Sequence, residues 1–205
     1  RALLLARVER LPAEARRVLQ AAAVLGQRFD VEALRHVLGD PACSVEQQEH
    51  EGLLACDGSE CSFSHALVRT VVHESLLRST RRDLHRRASL WFEGRDPALH
   101  AHHLAGAEDP RAATAYLEAA AREQAACRFD RAGQLVARAR EIATEGRDHC
   151  AANAMLGEIK LCQGRTEDAV AAFRVAIDLA ATNAERARAW LGLATSLRVM
   201  DLHEQ

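Results

Sequence analysis

The 205 residues include 27 lysines and arginines, but only one of them, Lys160, is a lysine. A phosphate-binding loop of the G-x-x-x-x-G-K-[S/T] type needs a lysine reaching the phosphates from a glycine-rich turn. Lys160 follows Glu158 and Ile159 instead, so this chain cannot itself be a P-loop ATPase. Charge of one sign is also missing. The net charge is −2, so no global field draws the chain to DNA or to a membrane surface. No apolar run approaches the length that crosses a bilayer. No G-x-S-x-G elbow and no Cys/His pair in a recognisable setting is present, so no catalytic residue is assigned and the segment reads as non-enzymatic. The chain opens on Arg1 without a signal-peptide pattern, and it begins and ends in helix-like sequence. We therefore read it as a segment of a longer cytoplasmic protein.

None of the six cysteines forms Cys-x-x-Cys. Small buried thiols in a reduced compartment are the expectation for them. The scarcity of lysine against arginine, with abundant alanine, reads as coding bias rather than chemistry. Apolar residues at 48% and charged ones at 27% match a globular balance.

Two halves with different grammar follow, 1–95 and 96–205. In the first, Leu3, Leu4 and Val8 suggest an entering helix. Pro12 opens a helix that Gly26 stops. Asp30 caps a second, closed by Gly39, and Ser44 with Gln47 forms a capping box for a third, ended by Gly52. Asp57-Gly58 then signals a hairpin between short strands at 53–56 and 60–63, with both residues central in a type I′ turn. Three helices and a hairpin, in that order, are the order of a winged helix. Two further helices follow, the second over 80–92.

The second half is almost all helix. Asp96-Pro97 and Asp109-Pro110 place capping carboxylates before prolines. Short turns between helices of this length imply antiparallel pairs. A repeat is visible: Leu156-Gly157 is followed by Ala169, Phe173 and Ala176, and Leu191-Gly192 restarts the unit 35 residues on. Tyr116, Ala132, Val136 and Ala139 are a weaker copy. The pattern resembles the tetratricopeptide repeat, with Ala181 where that repeat has proline. The expected fold is mainly α: a winged helix joined to an α-solenoid of such helix pairs, the last one cut after its first helix.

Cys56, Cys61 and His65 flank the hairpin, but zinc wants a fourth ligand and a second pair, so lone strand cysteines are the better reading and no metal is assigned. His100 and His103 share a helical face, and a helix surface explains them better than ligation. A DNA-reading winged helix needs a basic third helix. Here that helix carries Glu46, Glu49 and Glu51, and direct DNA contact is not expected. Residues 63–93 concentrate arginines, among them Arg78, Arg82 and Arg86 at i, i+4 spacing across an expected turn near Ser79. A solvated face with ion pairs to Glu74 or Asp83 accounts for them better than an anion or RNA patch.

The stretches "LPAEARRVLQAAAVLG" and "FSHALVRTVV" complete the pattern. Together they resemble the region after the nucleotide-binding core in large bacterial STAND-type ATPases. Those include LuxR-family transcription regulators similar to the maltose regulator, and related adenylate cyclases or kinases. The resemblance implies a P-loop domain upstream in cis and no cofactor in this segment itself, with ADP or ATP in the parent. It implies a winged helix that relays nucleotide state, and repeats that bind a protein or small-molecule inducer, with oligomerisation on activation. It gives His65 the place of a histidine that meets the ADP phosphate, as a helix start among free N–H groups would suit. Glu158 and Arg186, on first helices of their repeats, are the residues expected to line the partner surface. The alternatives are a free-standing repeat scaffold, or the sensor segment of a parent cyclase or kinase.

Overall fold

The computed structural model describes residues 8–143 and 146–203, with side chains as far as 201 in the last helix. The expected helical turn at Leu3 and Leu4 lies outside the described residues. The chain is mainly helical with one small sheet. It forms two compact units. One holds the described residues up to Asp96 with Gly106–Glu108; the other holds Pro97–Ala105 and the residues from Asp109 on.

In the first unit, α1 spans Ala13–Leu25, β1 Arg28–Asp30, α2 Val31–Leu38 and α3 Glu46–His50. Strands β2 (Leu54–Asp57) and β3 (Glu60–Phe63) form a hairpin, and α4 (Ala66–Ser75) and α5 (Arg78–Phe92) follow. The sheet is antiparallel with order β1-β3-β2. Local chemistry explains the helix limits. The Asp30 carboxylate accepts the Glu32 N–H at 2.7 Å and so caps α2. Gly39, at φ 69°, closes it in the left-handed conformation that glycine adopts without a Cβ penalty. The core is continuous through Leu19, Leu34, Leu53, Phe63 and Val72, all 3% exposed or less.

Four sequence expectations need correction here. The hairpin has a third strand beside it: Phe29 of β1 faces Cys61 of β3. The turn is centred on Gly58-Ser59, because Asp57 pairs with Glu60; only Gly58 of the two has positive φ, at 62°, which fits a II′ turn rather than I′. The Ser44 hydroxyl accepts the Glu46 N–H at 3.2 Å, but α3 is a single turn with Val45 at its N-cap and no capping box. Finally, α5 begins at Arg78, so no turn falls at Ser79.

The second unit stacks α6 (Pro97–Gly106), α7 (Ala112–Ala125), α8 (Phe129–Ile142), α9 (Gly146–Cys162), α10 (Thr166–Leu179) and α11 (Asn183–His203). Consecutive helices from α7 onward pack as neighbours, and α9 also touches α7 and α11. Small residues make the close approach. Ala132, Ala139, Ala169 and Ala176 are all fully buried. The Phe173 ring, 1% exposed, lies between two glycines. A Cβ at Gly157 would stand 2.8 Å from it, and one at Gly192 would overlap it outright. The repeated Leu-Gly therefore has a steric cause: each glycine vacates the volume that the ring fills. At the start of α11, Thr182 and Glu185 form a reciprocal capping box. The Thr182 hydroxyl accepts the Glu185 N–H, and the Glu185 carboxylate accepts the Ala181 and Thr182 N–H groups at 3.0 Å.

Candidate functional site

His65 sits at the N-cap of α4, in extended backbone directly after β3. Its ring is exposed and makes no capping hydrogen bond. Beneath it, Phe63 and Gln27 tie strand to helix. Phe63 N–H donates to the Gln27 carbonyl at 3.0 Å, and the Gln27 amide donates back to the Phe63 carbonyl at 2.7 Å. One turn further, Arg69 donates to the Ala23 carbonyl at 3.1 Å, near the C-terminus of α1. Hydrogen bonds on both sides thus fix the backbone at His65, while the residue itself is exposed.

Other arginines of the first unit also donate to backbone carbonyls at or just beyond helix ends. Arg87 donates to the Val37 carbonyl at 3.2 Å, Arg17 to Leu38 at 3.0 Å and Arg82 to Ala107 at 3.3 Å. The last carbonyls of a helix have no intrahelical partner, and a guanidinium reaches them while its stem covers apolar surface. Arg78 grips Glu108 with two bonds of 2.7 Å, and that hydrogen bonding holds the Glu108 carboxyl below the usual range. Arg86 pairs with Asp83 at 2.6 Å. Arg78, Arg82 and Arg86 share one face of α5, but each has a partner within the chain.

Cys56 and Cys61 stand directly opposite each other in the hairpin and form a disulfide. This corrects the expectation of reduced thiols throughout, and as a disulfide the pair offers no thiolate to a metal. The cross-strand register makes the pairing. With Asp57 and Glu60 closing the turn, the next pair brings the side chains together on one face. Among the described residues no group of three metal-ligating side chains converges. His103 is fully buried beside Ala101 and Leu104, not on a helix surface as its spacing suggested. Of the free cysteines, burial raises the thiol pKa of Cys43 and Cys150.

In the second unit, Glu158 and Arg186 do not come together. Glu158 of α9 accepts two bonds from Arg188 of α11, at 3.1 and 2.9 Å. Arg186 turns back to the Ala180 carbonyl at 3.1 Å. A separation of two residues puts Arg186 and Arg188 on opposite sides of one helix, so sequence reasoning missed Arg188. The same row of first helices holds Thr114 to Asp148 at 2.9 Å and Arg147 to Glu185 at 3.6 Å. These cross-links bind one repeat to the next.

Cavities open between the helices of the second unit. One of about 500 Å³ is lined by His102, Tyr116, Arg138 and Glu141 among others, and desolvation raises the Tyr116 pKa. Another, of about 300 Å³, lies between α8 and α10 over α9. Comparison with family models, with curated proteins and with solved structures finds no match.

Proposed function

We propose that this chain is the regulatory segment of a nucleotide-switched STAND-type transcriptional regulator. In this reading the first unit is a winged helix that relays nucleotide state, and the second is a short solenoid of tetratricopeptide-like pairs that takes an inducer or partner. The observation that carries it is the element order of the first unit, helix, strand, two helices and a hairpin, with sheet order β1-β3-β2. Two further features support it. The Gly157, Phe173 and Gly192 packing is what the repeat pattern needs sterically. An exposed His65, uncommitted to capping at a helix start, suits a phosphate contact supplied by a neighbouring domain.

In this account α3 does not read DNA. Its exposed Glu46 and Glu49 repel phosphate, and Glu49 instead accepts the Cys56 N–H at 3.0 Å. ADP favours the closed state, and ATP with inducer favours an open, oligomerising one. The segment works in the cytoplasm and performs no chemistry itself. The reading frame of the parent gene tests the proposal. A G-x-x-x-x-G-K-[S/T] loop upstream and a basic helix-turn-helix downstream are expected. No upstream loop would overturn the proposal in favour of a repeat scaffold, and a downstream cyclase or kinase domain would make the parent an enzyme.

A further inference from the structure

The cavity of about 300 Å³ between α8 and α10 has a mixed lining that nothing else in the unit explains. Its floor and walls are apolar: Leu156 from α9, and Ala172 and Val175 from α10. Val175 is 41% exposed, so apolar surface at this wall is open to a guest. At its rim stand Arg140 of α8 and Lys160 of α9, the chain's single lysine. Neither makes an ion pair or a side-chain hydrogen bond among the described residues. Both are therefore open to an anion at the rim, unlike Arg78, Arg82 and Arg87, which are committed to carbonyls or a carboxylate. The one carboxylate lining the cavity, Asp168, is engaged by Arg165 at 2.5 Å and does not neutralise them. Arg165 lines the cavity too but is held by Asp168, and Asn153, 1% exposed, lines it with its amide nitrogen committed to the His149 carbonyl at 2.8 Å. A polar group held by burial beside an apolar hollow fixes orientation in small-molecule sites.

We infer that this groove binds a small organic anion with an apolar tail. The carboxylate pairs with Lys160 and Arg140, and the tail lies over Leu156, Ala172 and Val175. A volume at the low end for ligand pockets limits the guest to a compact molecule. The two cations supply charge-assisted hydrogen bonds, the strong kind, which a neutral analogue cannot form. The inference stands whether or not the parent is a nucleotide switch, because it uses only the groove's own chemistry.

The single lysine makes the test direct. Reductive ¹³C-methylation keeps its charge and labels one side chain besides the α-amino group, which titrates at lower pH. Octanoate is titrated against the labelled protein, with octanol and inorganic phosphate as controls. Octanoate is expected to move the Lys160 methyl signal saturably, and each control at the same concentration to move it far less. Lys160→Arg should retain binding, read on Val175 methyl signals, and Arg140→Met should weaken it by about tenfold. Both positions are at least partly solvent-exposed, so the variants are expected to fold. Equal response to octanol would show that the cations do no recognition and would overturn the inference. Equal response to phosphate would show that the apolar floor is unused, with the same consequence. No saturation by octanoate up to the order of 10 mM would also overturn it.

Discussion

At the scale of single residues, the clearest determinant is the ring of Phe173 held between Gly157 and Gly192. Replacing either glycine by alanine forces a Cβ into that ring. Each change is expected to lower unfolding free energy by about 1–3 kcal/mol through overpacking, and Phe173→Ala by about 3–5 kcal/mol through the cavity left behind. Because both act on one volume, Gly192→Ala combined with Phe173→Leu should cost less than the sum of the two. Urea unfolding of Gly192→Ala, Phe173→Leu and the double variant measures this; strict additivity would show that the ring does not fill the space beside Gly192. The arginines make a second residue-scale case. Arg69→Ala removes the donor to the Ala23 carbonyl and is expected to cost about 1–2 kcal/mol. Arg69→Lys should recover only part, since an ammonium lacks the planar reach of the guanidinium.

At the scale of elements, what the sequence made legible follows from range. Asp30 and Gly39 delimit α2 by bonds within a few residues, so their types announce them. The 35-residue spacing of Leu-Gly pairs marks where helices approach closely, because each glycine leaves room for the Phe173 ring. By contrast β1 has three residues, and its partner β3 lies about 30 residues on. No local alternation can reveal such a strand. The hairpin slipped by one residue because Asp57-Gly58 and Gly58-Ser59 are both good turn pairs, and only the pairing of Cys56 with Cys61 selects between them. That same slip hid the disulfide. Thiol counting tests it: alkylation of the unreduced, denatured protein should modify Cys43, Cys127, Cys150 and Cys162 alone. Modification of all six cysteines would contradict the pairing. The capping box of α11 carries a pH signature. Backbone bonding from Thr182 holds the Glu185 carboxyl below its ordinary value. A lowered folded-state pKa stabilises above the unfolded value, about 4.3, and that stability is lost as pH falls through the folded value. Stability followed from pH 7 downward should therefore decline in the acid range less steeply in Glu185→Gln than in the parent.

On the scale of the whole molecule, the candidate site was only partly legible. His65 could be picked out because "FSH" sits between a hairpin and a helix, and the structure places it exposed at that junction. Glu158 and Arg186 both lie on first helices, but helical phase sends one to Arg188 and the other to the Ala180 carbonyl. The groove of Arg140 and Lys160 escaped because its lining comes from three helices, and no stretch of sequence collects it. The account's central claim is that the segment relays the nucleotide state of a domain beside it, through His65. Its most direct test is the ADP affinity of the full-length parent protein, by calorimetry, compared with that of its His65→Ala variant. The account predicts weaker ADP binding, by about tenfold for one lost charge-assisted contact, together with raised basal activity. Unchanged ADP affinity and unchanged basal activity in the variant would contradict it.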